Sequence, residues 1–240
     1  IGSNALAVQN AGADAYNIAI GHNAGTTVST GVANTLIGGL AGDALDVGGE
    51  NVAIGTAALT SDTKGSHSTA VGRGALQVQD FTSATDTNNT AVGYYAGAAI
   101  TSGQNNTCIG ANSGDALTTG YLNTFVGSNA GSATDDGQSN TAVGAYALDA
   151  GNCGDDNVAI GAGALGDSSY TASKNVAMGK DAGNSLTVGE NNVAIGWNAL
   201  SSDDVGSRNV AIGWDALASQ NATGGSVNNF YNTAVGANSG

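Results

Sequence analysis

The chain has 240 residues with 39 Gly and no Pro, and its 5 Lys and Arg against 19 Asp and Glu give a formal net charge of −14. This composition excludes collagen, which needs Pro and a Gly at every third position, and a coiled coil, which needs many more charged residues. The acidic balance predicts no nucleic-acid partner, because phosphate binding needs clustered Lys and Arg, and no apolar run is long enough to predict membrane insertion.

A five-residue block, Asn-x-(apolar)-(Ile/Val)-Gly, recurs along the whole chain. Successive blocks lie 17 residues apart, except for longer steps of 21 after Gly72, 18 after Gly161 and 23 after Gly213. The closing glycines are Gly21, Gly38, Gly55, Gly72, Gly93, Gly110, Gly127, Gly144, Gly161, Gly179, Gly196, Gly213 and Gly236.

This period predicts the fold, because 17 residues are too few for a helical repeat of about 33 residues or more. The β-branched residues of the block and the Gly at its end are typical of a short strand followed by a turn. We therefore predict an all-β fold, a β-solenoid (β-roll) of 17-residue coils, with about fourteen coils stacked at about 4.8 Å. Residues 1–240 form one repeat domain in this interpretation. The chain starts and stops inside repeats, which indicates a fragment of a longer fibre with further domains or subunits at both ends.

The first block residue is Asn in twelve of the thirteen full copies, and Ser68 is the exception. Buried Asn side chains that stack along a solenoid can bond to one another and stay satisfied, and we favour this ladder over an Asn that caps an exposed turn. The predicted structural ladder consists of Asn51, Asn89, Asn106, Asn123, Asn140, Asn157, Asn175, Asn192 and Asn209.

The residues that follow the block alternate in size at one corner of the coil. Where Ala-Gly or Ser-Gly follows, a larger residue usually stands three positions later, as Leu117 does after Gly114, whereas Gly131 is followed by Thr134. Where Ala-Leu follows, that later residue is small or polar, as Asp62 is after Leu59. This pattern predicts one void in each coil that is filled once, from one of two positions.

The third and fourth block residues are both apolar in every copy, and neighbouring residues of a strand face opposite sides. Both faces of the strand are therefore predicted to be buried, and the coil interior can cover only one of them. We expect a homotrimer to cover the other face; a lone solenoid that tolerates Ala on an exposed face is the alternative.

The segments Asn140 to Leu148 and Asn106 to Gly120 (NTCIGANSGDALTTG) resemble the repeats of phage tail-fibre-domain proteins and related bacterial surface proteins. They are more loosely similar to the head repeats of trimeric autotransporter adhesins. The resemblance implies a trimeric structural shaft that holds a distal binding domain, located outside the cell on a virion appendage or a bacterial surface.

Two long steps predict surface-loop insertions within residues 77–88 and 218–231, where added length costs little. The first loop contains Phe81, and the second contains Phe230 and Tyr231. These aromatic side chains either cover the solenoid, which we favour, or reach a neighbouring subunit.

The position after the block Gly varies most and is predicted to be an exposed ridge, which carries Arg73, Tyr94, Trp197 and Trp214. Exposed aromatic pairs suit a sugar face or a partner protein, whereas packing on the trimer surface as shielding is the interpretation that we favour. A module that binds a cell-surface glycan or a receptor through this ridge and the loops is the alternative function. A filament subunit that polymerises end to end is a third.

The sequence predicts no enzyme, because His22 and His67 stand at different repeat positions about three coils apart and no catalytic or metal site is apparent. No cofactor is expected. Calcium remains an alternative at acidic pairs such as Asp135-Asp136, Asp155-Asp156 and Asp203-Asp204, for which we favour a solvated acidic surface. Cys108 is predicted to be a buried small hydrophobe, without an intrachain bond to Cys153.

Overall fold

The computed structural model describes residues 1–12, 14–149, 151–166, 171–221 and 228–240, and within these residues all regular structure is β. The chain divides into two compact units, Ile1–Leu122 and Asn123–Gly240. Each unit is a stack of coils whose parallel strands repeat about every 17 residues, so the predicted all-β solenoid is confirmed. The total of about fourteen coils stays a prediction.

The strands are short, and most contain three residues. In the first unit they are β1 (Ile18–Ile20), β2 (Thr35–Ile37), β3 (Val52–Ile54), β4 (Gly65–Ser66), β5 (Thr69–Val71), β6 (Thr85–Asp86), β7 (Thr90–Val92) and β8 (Thr107–Ile109). In the second unit they are β9 (Thr124–Val126), β10 (Thr141–Val143), β11 (Val158–Ile160), β12 (Val176–Met178), β13 (Val193–Ile195), β14 (Gly206–Ser207), β15 (Val210–Ile212), β16 (Asn228–Asn229) and β17 (Thr233–Val235).

Within each unit, each three-residue strand lies directly over the equivalent strand of the next coil. In β10 and β11, for example, Ala142 pairs with Ala159. The register is kept across the longer steps, since β5 pairs in parallel with β7 and β15 with β17. The extra residues of these steps therefore do not enter the strand of the block.

The glycine that closes each block is required by the close approach of the coils. Gly55 has a φ of +136°, and a Cβ added there would lie 2.4 Å from the carbonyl oxygen of Gly72. Any side chain would collide with the backbone of the next coil, and the conformation itself is unfavourable for L-residues. The near-invariant Gly in the sequence has this physical cause.

The third block residue points into the coil, and the second and fourth point outward. Ala142 is buried, as are the larger residues Leu36, Cys108 and Phe125 at the same position. The fourth residues are partly exposed, among them Ile54 and Ile109. A single chain therefore buries one strand face and leaves the other, apolar face in contact with solvent.

The corner void of the coil is shared between two positions. Gly183 has a φ of +59°, close to the +49° of Leu165 and the +54° of Leu200 at the same position in the adjacent coils. A Cβ added at Gly183 would lie 2.9 Å from Leu165 Cδ2 and 3.1 Å from Leu186 Cδ1. Leu186 thus fills the space that a leucine at position 183 would take.

A third residue, Phe125, can also fill this corner, and the pattern of block residues does not predict it. The residue three positions after Gly131 is Thr134, which is smaller than Leu186 at the equivalent position. A Cβ added at Gly131 would nevertheless lie 2.7 Å from Phe125 Cδ2. The large ring of Phe125, at a block position that usually holds Ala, occupies the space from inside the strand.

A double-mutant cycle tests the shared void. Leu186→Ala is expected to lower the free energy of unfolding by about 2–5 kcal/mol because it leaves a cavity. Gly183→Leu alone is also expected to destabilise the protein, because its side chain competes with Leu186. In the double variant the new leucine fills the cavity, so the loss is smaller than the sum of the single losses; urea unfolding measures all three. Additive losses would contradict a shared void.

Candidate functional site

The Asn side chains at the first block position form a column of hydrogen bonds that links the backbones of successive coils. In the second unit, the backbone N–H of Asn192 donates to Oδ1 of Asn175 at 2.9 Å. Its own Nδ2 donates to the carbonyl oxygen of Gly206 at 2.8 Å, and its Oδ1 accepts from the backbone N–H of Asn209 at 2.9 Å. The Asn192 amide therefore pairs two backbone groups of the next coil, and the Asn192 backbone N–H bonds to the amide of the preceding coil.

All nine predicted ladder residues are buried, so they do not cap an exposed turn. Their bonding differs in one respect from a ladder of stacked amides. Most contacts run from side chain to backbone, as between Asn51 Nδ2 and the Gly65 carbonyl oxygen at 2.9 Å, and an amide-to-amide bond is added between Asn157 and Asn140 at 3.0 Å. The column satisfies backbone groups that the close stacking would otherwise leave unpaired.

A buried polar network surrounds Ser68, the one block residue that is not Asn at this position. Gln79 Nε2 donates to Ser68 Oγ at 2.9 Å and to Asp62 Oδ2 at 2.6 Å, and Gln79 Oε1 accepts from Asn89 Nδ2 at 2.9 Å. Asp62 Oδ1 also accepts from the backbone N–H of Gly65 at 2.9 Å. Gln79 therefore links Ser68 to Asn89, the next Asn of the column.

Burial raises the pKa of the Asp62 carboxyl, and the hydrogen bonds from Gln79 and Gly65 oppose this rise. The folded state therefore binds the proton more tightly than the unfolded state. By linkage, the contribution of Asp62 to stability falls as the pH rises from the ordinary value of 3.8 through the raised value.

The second unit contains the same network. Gln220 Nε2 donates to Asp203 Oδ2 at 2.5 Å, the Gly206 N–H donates to Asp203 Oδ1 at 3.0 Å, and Asn232 Nδ2 donates to Gln220 Oε1 at 2.7 Å. The pattern of small or polar residues at these positions does not by itself predict the network. The available signal was a longer repeat, since Asp203 and Gln220 each lie 141 positions beyond Asp62 and Gln79.

Each network includes one residue of a predicted insertion, Gln79 of residues 77–88 or Gln220 of residues 218–231. In the first, β6 pairs with β4 and Phe81 is buried. In the second, β16 pairs with β14, whereas Phe230 and Tyr231 are exposed and the Arg208 guanidinium lies 5.7 Å from the Tyr231 ring. Residues 222–227 of this insertion lie outside the described part of the chain.

The ridge residues form two separate groups. Arg73 lies 5.8 Å from the ring of Tyr94 and 5.6 Å from the ring of Tyr95, in the first unit. Trp197 and Trp214, in the second unit, stack on each other with ring centroids 5.8 Å apart. Both indoles are about half exposed within the chain, and their packing on a trimer surface stays a prediction.

Groups with chemical reactivity are either buried or dispersed. Cys108 and Cys153 are free thiols, and burial raises their pKa to about 12 and about 11. Such thiols contain little of the reactive thiolate at neutral pH. His67 lies 3.4 Å from Glu50 and 3.2 Å from Asp86 at the surface.

Among the described residues, no group of three or more His, Cys, Asp or Glu side chains is arranged to hold a metal ion. Over the same ranges, the structure contains no helix with the length and apolar character to cross a membrane.

Comparison with known proteins gave no match: no family model fits the chain, and neither curated proteins nor solved structures show significant similarity to it.

Proposed function

We propose that this chain is a structural shaft segment of a trimeric extracellular fibre, such as a phage tail fibre or a bacterial surface adhesin, that holds a distal binding domain. The observation that carries the proposal is the exposed apolar face of the strands in each unit. A β-solenoid is compatible with a shaft, and the repeats resemble those of trimeric fibre proteins.

The exposed strand face has the composition of a contact surface. In all thirteen blocks its second and fourth residues are Thr, Val, Ile or Met, and Ile54 and Ile109 keep 36% and 39% of their surface exposed. Partly exposed Ile, Val and Met side chains favour association, because burying them removes their apolar surface from water.

The distribution of charged residues also favours the strand face as the contact between copies of the chain. Copies of a chain with a net charge of −14 repel one another, and association is least costly through a surface that contains no charged residue. The strand face satisfies this condition, because every Asp, Glu, Lys and Arg of the chain stands outside the second and fourth block positions. The number of three copies rests on the resemblance to trimeric fibres.

Light scattering tests the assembly. The protein is expected to have three times the chain mass of 23.1 kDa. The double variant Ile54→Glu and Ile109→Glu is expected to have the mass of one chain with an unchanged circular dichroism spectrum, because both side chains are already partly exposed within a chain. Val47→Glu, at an exposed apolar residue outside the strand face, is the control and keeps the wild-type mass. A wild-type mass of one chain would contradict the trimer.

Immunogold electron microscopy tests the location. Antibodies raised against the folded chain are expected to label filaments on intact particles or intact cells of the producing organism, because a shaft segment is accessible from outside. Labelling that requires permeabilised cells would contradict an extracellular fibre.

A further inference from the structure

Trp197 and Trp214 form an aromatic platform on the surface of the second unit. They are the two Trp of the chain, with an interplanar angle of 11° and a centroid distance of 5.8 Å. This distance is that of an offset stack, so each ring covers only part of the other. The indoles keep 46% and 50% of their surface exposed.

The coil backbone fixes the position of the platform. The N–H of Asp215 donates to the carbonyl oxygen of Trp197 at 3.0 Å, and the N–H of Asn238 donates to that of Trp214 at 2.7 Å. The same position in the next coil is Ala237, which brings no ring over Trp214. The backbone at both Trp is therefore held by hydrogen bonds between coils, and Ala237 leaves Trp214 without an aromatic ring on the side of the next coil.

The residues that directly follow the two Trp, Asn198 and Asp215, line a polar depression together with Ser201, Ser219 and Asn238. Amide, hydroxyl and carboxylate groups at these positions supply both donors and acceptors of hydrogen bonds.

We propose that the Trp197–Trp214 platform and this depression bind an uncharged carbohydrate chain. The apolar C–H face of a pyranose ring packs on an exposed indole, and its hydroxyls need the donors and acceptors of the depression. The net charge of −14 and the carboxylate of Asp215 oppose anionic ligands such as nucleic acids, acidic polysaccharides and anionic lipid surfaces. The site does not depend on the proposed shaft function, since all its residues belong to one chain.

The first unit provides a variant that removes the platform and keeps the coil. Thr56 and Arg73 stand 141 positions before Trp197 and Trp214, in coils with the same Asp–Gln network and the same strand register. The double variant Trp197→Thr and Trp214→Arg therefore reproduces side chains that this backbone already accepts. Tyr146→Ala, at another exposed aromatic residue of the second unit, is the matched control.

Titration with cellohexaose, chitohexaose, maltohexaose and, as an anionic probe, hexagalacturonic acid tests the site. At least one neutral hexasaccharide is expected to change the tryptophan fluorescence saturably, and this signal arises from the site alone because the chain has two Trp. By calorimetry, the double Trp variant is expected to bind it at least about tenfold more weakly, as loss of an aromatic anchor does, while Tyr146→Ala keeps wild-type affinity.

Three results would overturn the proposal. The first is that none of the three neutral hexasaccharides changes the fluorescence, and the second is that the double Trp variant keeps the wild-type affinity. The third is a lower light-scattering mass of the double Trp variant, which would assign the indoles to a contact between copies. A protein that binds the sugar as a single chain would contradict the trimer and leave this site intact, so the two proposals fail separately.

Discussion

Stacking of the coils depends on the pairing of backbone groups that are buried between them. A coil of 17 residues is too short to satisfy these groups internally, and unpaired buried N–H and C=O groups are costly. The Asn column solves this at one corner, where an amide such as that of Asn140 accepts from the Asn157 N–H and donates to the Gly154 carbonyl oxygen of the next coil. Buried Asp and Gln side chains add further bonds beside Ser68, which interrupts the column, and beside Asn209, which belongs to it.

The close approach of the coils also explains the composition. Glycine is required where a Cβ would meet the next backbone, as at Gly144, where it would lie 2.6 Å from the Gly161 carbonyl carbon. Ala is common because the interior is narrow, and a larger residue such as Phe125 is accommodated where the adjoining corner position is Gly131. The charged residues all stand outside the second and fourth positions of the blocks.

Much of the fold was predictable from the sequence because a fixed period places identical residues over one another, and this alone determines strand position and register. Which strand face points inward was not predictable, since the third and fourth block residues are both apolar and alternation gives no preference. The Asp–Gln networks were missed because their residues occupy positions that are merely polar in a 17-residue alignment. The ridge was predicted to be exposed, and the spacing of one period between Trp197 and Trp214 also predicts that they stack on consecutive coils, as they do.

The stability of an Asn192→Ala variant, measured by urea unfolding, tests the role of the Asn column most directly. Asn192→Ala removes the partner of the Gly206 carbonyl and of the Asn209 N–H, and a loss of about 2–5 kcal/mol is expected from two buried groups left unpaired. Glu190→Ala, at an exposed position two residues away, is the control and is expected to change the stability by less than about 1 kcal/mol. Equal losses in the two variants would contradict the account.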